Sequence, residues 1–198
     1  MNKKVVHELL LQSLEHEMGG VKVYTQALEN AKNPSLTKEW TKYLKQTKTH
    51  VSALQEVFAA MGLDANEESP GRAVVREMGA SLVKAMKDAK ANADADGAEL
   101  VACECVVLAE TKDHLNWTLI GKCVEHLDGK GVDVLKAAHE KVEEEEDEHL
   151  YHSNGFCREL WIKALGMKAV IPPPEEQHKV KTAIGAARAE QEADRHRN

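Results

Sequence analysis

Helical periodicity of the apolar residues is the feature that most restricts how this chain can fold. Apolar side chains recur three and four residues apart along almost the whole sequence, and no stretch alternates with a period of two. Glycine and proline gather at a few places between these stretches. The pattern therefore predicts an all-α protein in which long helices are joined by short turns.

The interruptions predict where each helix begins and ends. Asn-Pro and Ser-Pro pairs have the form of helix starts, and Asp96 with Glu99 has the spacing of a capping box. A glycine-rich turn before the last long helix is short enough to make its neighbours antiparallel. The expected helices are Lys4–Ala31, Pro34–Met61, a crossover helix over about 70–91, Asp96–Leu127, and a fourth long helix from the turn at Asp128–Gly131 to Leu165.

Two antiparallel hairpins joined by a long crossover make a four-helix bundle. We expect this bundle to occupy residues 1–168 and the remainder, residues 169–198, to form a C-terminal tail or arm. The length of 198 residues suffices for a full hydrophobic core.

Charge and composition exclude several classes of function. The chain has 33 acidic and 26 basic residues, hence a formal charge of −7, and only 4% aromatic residues. A nucleic-acid surface would need a basic face and stacking rings. No apolar run approaches the roughly 20 residues of a membrane helix. We therefore expect a cytoplasmic protein without nucleic-acid or membrane partners, whose four cysteines, none in a C-x-x-C pair, are reduced thiols.

Each long helix carries acidic or imidazole side chains within its predicted inner stripe. The two carboxylates on the first and third long helices each precede an aromatic residue by seven positions, Tyr24 and Trp117, so the hairpins look like an internal repeat. Seven residues span about 10 Å of helix, which places these groups at matching depths. The candidate metal ligands are Glu17, His50, Glu110, His114, Glu146 and His149.

Buried acids and imidazoles at one depth need a neutralising partner. An uncompensated buried ion costs several kcal/mol, and these stripes offer few inward lysines or arginines. A pair of divalent cations, or protonation of the carboxyls, meets this need. Mixed carboxylate and imidazole ligands suit iron or manganese, and the absence of a thiolate argues against structural zinc.

At these residues the sequence resembles the ferritin-like superfamily. Glu17 with Tyr24 is similar to that family's Glu-x6-Tyr element, Glu110 to its second glutamate, and Glu146 with His149 to one of its Glu-x-x-His motifs. The resemblance covers roughly residues 5–165. It implies a ferritin-like four-helix bundle that holds a di-metal carboxylate centre on its four long helices.

Thr47 departs from the family pattern, because a glutamate is expected three residues before His50. Either His114 replaces the missing ligand in an asymmetric pair, or one metal position is weak or empty. The resemblance implies a non-haem iron or manganese oxidoreductase that acts on O2 or peroxide. The alternatives are an iron-handling protein and a stress-associated structural bundle with a degenerate site. A monomer or homodimer is expected in preference to a storage cage.

Overall fold

The structure is a computed structural model that describes residues 1–197. Within that range it contains seven helices and no strand, so the all-α prediction is confirmed. None of these helices is long and apolar enough to cross a membrane. The helices are α1 (Lys3–Asn30), α2 (Pro34–Met61), α3 (Pro70–Asn92), α4 (Ala95–Val124), α5 (Val132–Ala164), α6 (Pro174–Gln177) and α7 (Ala183–Arg197).

Four long helices form a closed ring. Helix α1 contacts α2 and α4, and α5 contacts the same two helices. Helix α3, the crossover between the two hairpins, lies outside the ring against α1 and α4, and α6 and α7 lie against α5. The arrangement is a four-helix bundle in which side chains from all four long helices can meet at the centre.

The predicted proline-linked starts are present. The Asn33 side chain accepts hydrogen bonds from the first free amides of α2, and Ser69 does the same at α3. Helix α2 ends at Gly62, whose φ of 72° is favourable only for a residue without a β-carbon.

The predicted start of α4 is wrong by two residues. The capping residue is Asp94, whose carboxylate accepts a hydrogen bond from the Gly97 amide at 2.8 Å. Asp96 instead forms an ion pair with Lys32 at 2.8 Å. Glu99, the expected capping-box partner, accepts hydrogen bonds from the backbone amides of residues 32 and 33. Its carboxylate thus joins the α1–α2 turn to α4.

The hydrophobic core is divided into two clusters by a polar layer. One cluster contains Tyr24, Tyr43 and Phe156, and the other contains Leu14 and Trp117. On every long helix the residues of the two clusters lie on opposite sides of the buried candidate ligands. The polar layer is therefore enclosed by apolar side chains above and below it.

The C-terminal segment, expected to be an arm, contains two helices that pack against α5. Arg158 of α5 forms an ion pair with the buried Glu175 at 2.6 Å. Arg197 of α7 reaches the buried carboxylate of Glu159 at 2.6 Å. These contacts fasten both ends of the segment to the bundle. Asn198, the last residue of the predicted tail, lies outside the described residues.

A buried ion pair fastens the crossover helix to α1. Glu15 accepts hydrogen bonds from the guanidinium groups of Arg72 at 2.7 Å and Arg76 at 2.9 Å. Glu15 and Arg72 are both buried. Burial acts to raise the pKa of Glu15, but attraction by Arg76 and Arg72 holds this pKa below its usual range.

We expect Glu15→Gln to lower the free energy of unfolding by about 3 kcal/mol, because it leaves the buried Arg72 without its counter-charge. The matched control is Glu68→Gln, which removes an exposed partner of Arg76 and should cost less than about 1 kcal/mol. Since the pKa of Glu15 is lowered in the folded state, its contribution is present above the ordinary carboxyl pKa and is lost as the pH falls. Urea unfolding at pH 7 and pH 4 measures both effects, and equal losses in the two variants would contradict the assignment.

Candidate metal centre

Five of the six predicted ligands meet at the centre of the bundle. They are all buried, and each long helix supplies at least one of them. Two groups have ligand atoms that all lie within 4.8 Å of one another, and Glu146 belongs to both. The first group is Glu17, His50 and Glu146, and the second is Glu110, Glu146 and His149.

The Nδ1 atoms of the two histidines face the carboxylates. His50 Nδ1 lies 3.0 Å from Glu146 Oε1 and 3.3 Å from Glu17 Oε1. His149 Nδ1 lies 3.4 Å from the same Glu146 oxygen and 3.5 Å from Glu110 Oε2. Two donors bound at about 2.1 Å to one ion are about 3.0 to 3.4 Å apart at octahedral or tetrahedral angles. The observed separations therefore fit two ions that share the Glu146 carboxylate.

The other ring nitrogen of each histidine has a separate partner. His50 Nε2 lies 2.8 Å from Glu145 Oε2, and His149 Nε2 lies 3.1 Å from Gln46 Oε1. With these oxygens as acceptors, each Nε2 carries the proton in a neutral ring and Nδ1 has its lone pair directed at the carboxylates. Metal-binding histidines are held in the same manner by an outer hydrogen bond.

Unsatisfied polar atoms mark the centre. Within residues 1–197 the Nδ1 atoms of both histidines and both oxygens of Glu146 are buried without a hydrogen bond. Oε2 of Glu17 and Oε2 of Glu110 are also buried without a hydrogen bond. Buried polar atoms usually have hydrogen-bond partners. The unpaired atoms here are imidazole nitrogens and carboxylate oxygens, which are typical metal ligands, so a bound cation would satisfy them. The residues present therefore fit a metal centre.

Trp117 and Tyr24 each lie near a glutamate of the other hairpin. Trp117 of α4 donates from Nε1 to Glu17 Oε1 on α1 at 2.8 Å. Tyr24 of α1 is fully buried, and burial together with Glu110 of α4 raises the pKa of its phenol well above the ordinary value. Trp117 thus holds the carboxylate of the other hairpin, whereas the Tyr24 hydroxyl is buried without a hydrogen bond.

Burial and mutual attraction determine the charges of the centre. Burial raises the pKa of Glu17 to about 7 and also raises the pKa of Glu110. Burial disfavours the imidazolium forms, but the surrounding carboxylates outweigh it and raise the pKa of His50 to about 12 and of His149 to about 9. Although burial acts to raise it, both imidazoliums hold the pKa of Glu146 well below its usual range. Protons on Nδ1 therefore neutralise the metal-free centre.

Thr47 occupies the place of the missing carboxylate. It is buried, and its hydroxyl donates to the Tyr43 carbonyl at 2.9 Å, within its own helix. A β-carbon added at Gly20 would lie 3.2 Å from the Thr47 methyl group. Glycine on α1 therefore makes room for threonine, and no second bridging carboxylate is present at this position.

His114 lies apart from the other predicted ligands. Its Nε2 is 2.9 Å from Asp147 Oδ1, and 29% of its side chain is exposed. The buried stripe of α4 runs through Glu110, Asp113 and Trp117, so the inner position is three residues after Glu110 and not four. His114 therefore pairs with Asp147 at the edge of the bundle and does not replace Thr47.

Three residues at or beside the centre were not predicted from the sequence. Glu145 and Gln46 each precede a residue of the inner stripe and reach the outer nitrogens of the histidines. Asp113 is buried, and burial and the neighbouring Glu17 raise its pKa well above the ordinary value. The signal for Asp113 was its spacing of three residues from Glu110, which is as helical as a spacing of four.

Comparison of the chain with protein-family models, with curated proteins and with solved structures finds no match. The case for a metal centre therefore depends on the residues and the geometry given above.

We expect metal binding to release about two to three protons per chain at neutral pH. Both Nδ1 atoms must lose their protons before they can donate to an ion, and Glu17, with a pKa of about 7, must lose its partial proton. The free imidazoliums have pKa values of about 12 and 9, so both remain protonated between pH 6 and 8. The affinity for Mn²⁺ should therefore rise with pH across this range and fall on acidification. Calorimetric titration in two buffers of different ionisation enthalpy measures the release, and binding without proton release would exclude the two imidazoles as ligands.

Proposed function

We propose that this protein binds two divalent metal ions at the centre of its bundle and uses them in redox chemistry with O2 or peroxide. The observation that carries the proposal is the pair of Nδ1 atoms that face one shared carboxylate, each with its Nε2 held from behind. Structural polar networks in a core satisfy their members with hydrogen bonds. This network satisfies its outer atoms and leaves its inner atoms unpaired.

The ligand types favour iron or manganese as the bound metal. Carboxylates and imidazoles form the whole donor set, and the four cysteines are not part of it. Bound iron would supply one-electron and oxygen chemistry. The arrangement of two hairpins with a long crossover is the plan of ferritin-like bundles, which hold di-metal centres in the same part of the fold.

The chain's own residues have separate tasks in this proposal. Glu17, His50 and Glu146 would hold one ion, and Glu110, Glu146 and His149 would hold the other. Trp117 fixes the orientation of the Glu17 carboxylate through its indole hydrogen bond. Thr47 adds no carboxylate, so the side of the centre next to α1 and α2 has fewer protein ligands. An oxidant would bind where the protein supplies the fewest ligands, beside the buried Thr47 side chain.

Anaerobic titration with Fe²⁺ tests the proposal. We expect up to two ions per chain, followed by O2 consumption and a change in visible absorption when air is admitted. A much larger iron load would indicate storage. No uptake, together with an unchanged melting temperature, would leave a structural bundle and would overturn the proposal.

Substitution of single ligands gives a sharper test. We expect Glu146→Ala to abolish metal-dependent stabilisation, which amounts to about 3 kcal/mol when the metal is at 100 times its Kd. Glu110→Ala and His149→Ala should each remove the second ion and leave the first. The matched control is His114→Ala, which removes an imidazole from the same region without touching either group. Retention of both ions by the Glu146 and His149 variants would show that the ligand set is wrong.

A structural bundle with a degenerate site is the second candidate. Thr47 favours it, since a bridging carboxylate is absent from that position. The pairing of imidazoliums with carboxylates also favours it, because protons alone can neutralise the layer. In that case the metal-free protein should already have its full stability, and added Fe²⁺ or Mn²⁺ should not raise the melting temperature.

A further inference from the structure

A cavity of about 550 Å³ lies between α1, α3 and α4, outside the ring of ligands. Its walls consist mainly of glycine, alanine and other apolar residues, and the polar lining residues are His16, Glu77, Ser81 and Lys112. A β-carbon at Gly19 would meet nothing within 4 Å, and one at Gly79 would lie 3.7 Å from the Gly19 α-carbon. The two glycines thus let α3 approach α1 while they leave space beside the contact. Cavities of this size and lining bind small, mainly apolar molecules.

Lys112 supplies a positive charge to this apolar lining. It is half-buried, its amine donates to the Asn116 side chain, and it forms no ion pair with the described residues 1–197. His16 also lines the cavity, but burial and Lys112 lower its pKa to about 4, so it is neutral. Glu77, an acidic lining residue, is exposed on α3. Burial lowers the pKa of Lys112, and the neighbouring Asp113 offsets this only in part. An anionic ligand beside the ammonium would further reduce the cost of burying it.

The opening of the cavity is surrounded by exposed apolar side chains. Val74 and Met78 of α3 and Leu108 of α4 are each more than half exposed. Met78 is 55% exposed beside the opening. A group of exposed apolar side chains indicates a binding site more often than single scattered ones do. An apolar chain that entered the cavity would cover them.

The inner wall of the cavity lies next to the candidate metal centre. Gly20 lines the cavity and also meets the Thr47 methyl group on the other side. Ala109 lines it directly before Glu110 in α4. A ligand in the cavity would therefore lie one layer of small residues away from the centre, on its α1–α4 side.

From these features we propose that the cavity binds an amphipathic carboxylate of the fatty-acid class. Its carboxylate pairs with the Lys112 ammonium, and its alkyl chain lies along the apolar walls past Gly19 and Gly79. A neutral apolar molecule would leave Lys112 without an anionic partner, and a cationic one would be repelled. The site uses no metal ligand, so it goes beyond the proposed function and can be tested on metal-free protein.

Calorimetric binding of dodecanoate to the metal-free chain tests the inference, with dodecan-1-ol and dodecyltrimethylammonium as the neutral and cationic probes. We expect dodecanoate to bind one per chain and at least about tenfold more tightly than either probe, which corresponds to about 1.4 kcal/mol. Lys112→Met should remove this preference for the anion, whereas the control Lys141→Met, at an exposed position on α5, should keep it. Equal affinity for the three probes would overturn the proposal.

A second variant tests the location of the alkyl chain. Gly19→Leu fills the cavity without a clash at its β-carbon and should abolish dodecanoate binding while the helical content and melting temperature are kept. Undiminished binding in this folded variant would overturn the placement. Attachment to anionic phospholipid vesicles without binding of dissolved dodecanoate would assign the apolar opening to a membrane surface and would also overturn it. Failure of metal uptake would contradict only the proposed function, since each of these binding experiments uses metal-free protein.

Discussion

The centre of this bundle depends on a positive charge, carried by a proton or a metal ion, between each Nδ1 atom and the carboxylates. Three buried glutamates approach two imidazoles that are held from behind by Glu145 and Gln46. Lone pairs on Nδ1 would face carboxylate oxygens at 3.0 to 3.5 Å unless a proton or a metal ion lay between them. The competition between these two kinds of cation makes the centre a metal site or a proton-neutralised layer, with the same side chains in place.

The overall fold could be predicted because its causes are local. Apolar spacing, two proline-linked starts and glycine-rich turns are properties of short segments, and they gave the five long helices nearly at their observed bounds. The central position of five candidate ligands could be predicted for the same reason, since an acid or imidazole within an apolar stripe faces inward. The start of α4 was wrong because two aspartates, Asp94 and Asp96, compete for the capping position, and the contact with Lys32 decides between them.

The features that could not be predicted depend on the rotation of each helix about its axis and on the side chains of the neighbouring helices. Spacings of three and four residues are equally helical, so Glu110 alone could not distinguish Asp113 from His114 as its inner neighbour. Glu145 and Gln46 act across the α2–α5 contact, and their sequence positions carry no mark of it. The cavity is still less local, since it depends on the distance that Gly19 and Gly79 allow between two helices.

The division of the core also determines the register of the helices. Each long helix has one polar level between two apolar stretches. If one helix slid by a single turn, about 5.4 Å, a carboxylate or imidazole would move among leucines and aromatic rings, while an apolar side chain would enter the charged level. Such a shift would leave buried charges uncompensated at several kcal/mol each. The polar level therefore fixes the register of the four helices. Selection for correct assembly alone would preserve these residues in a protein that binds no metal.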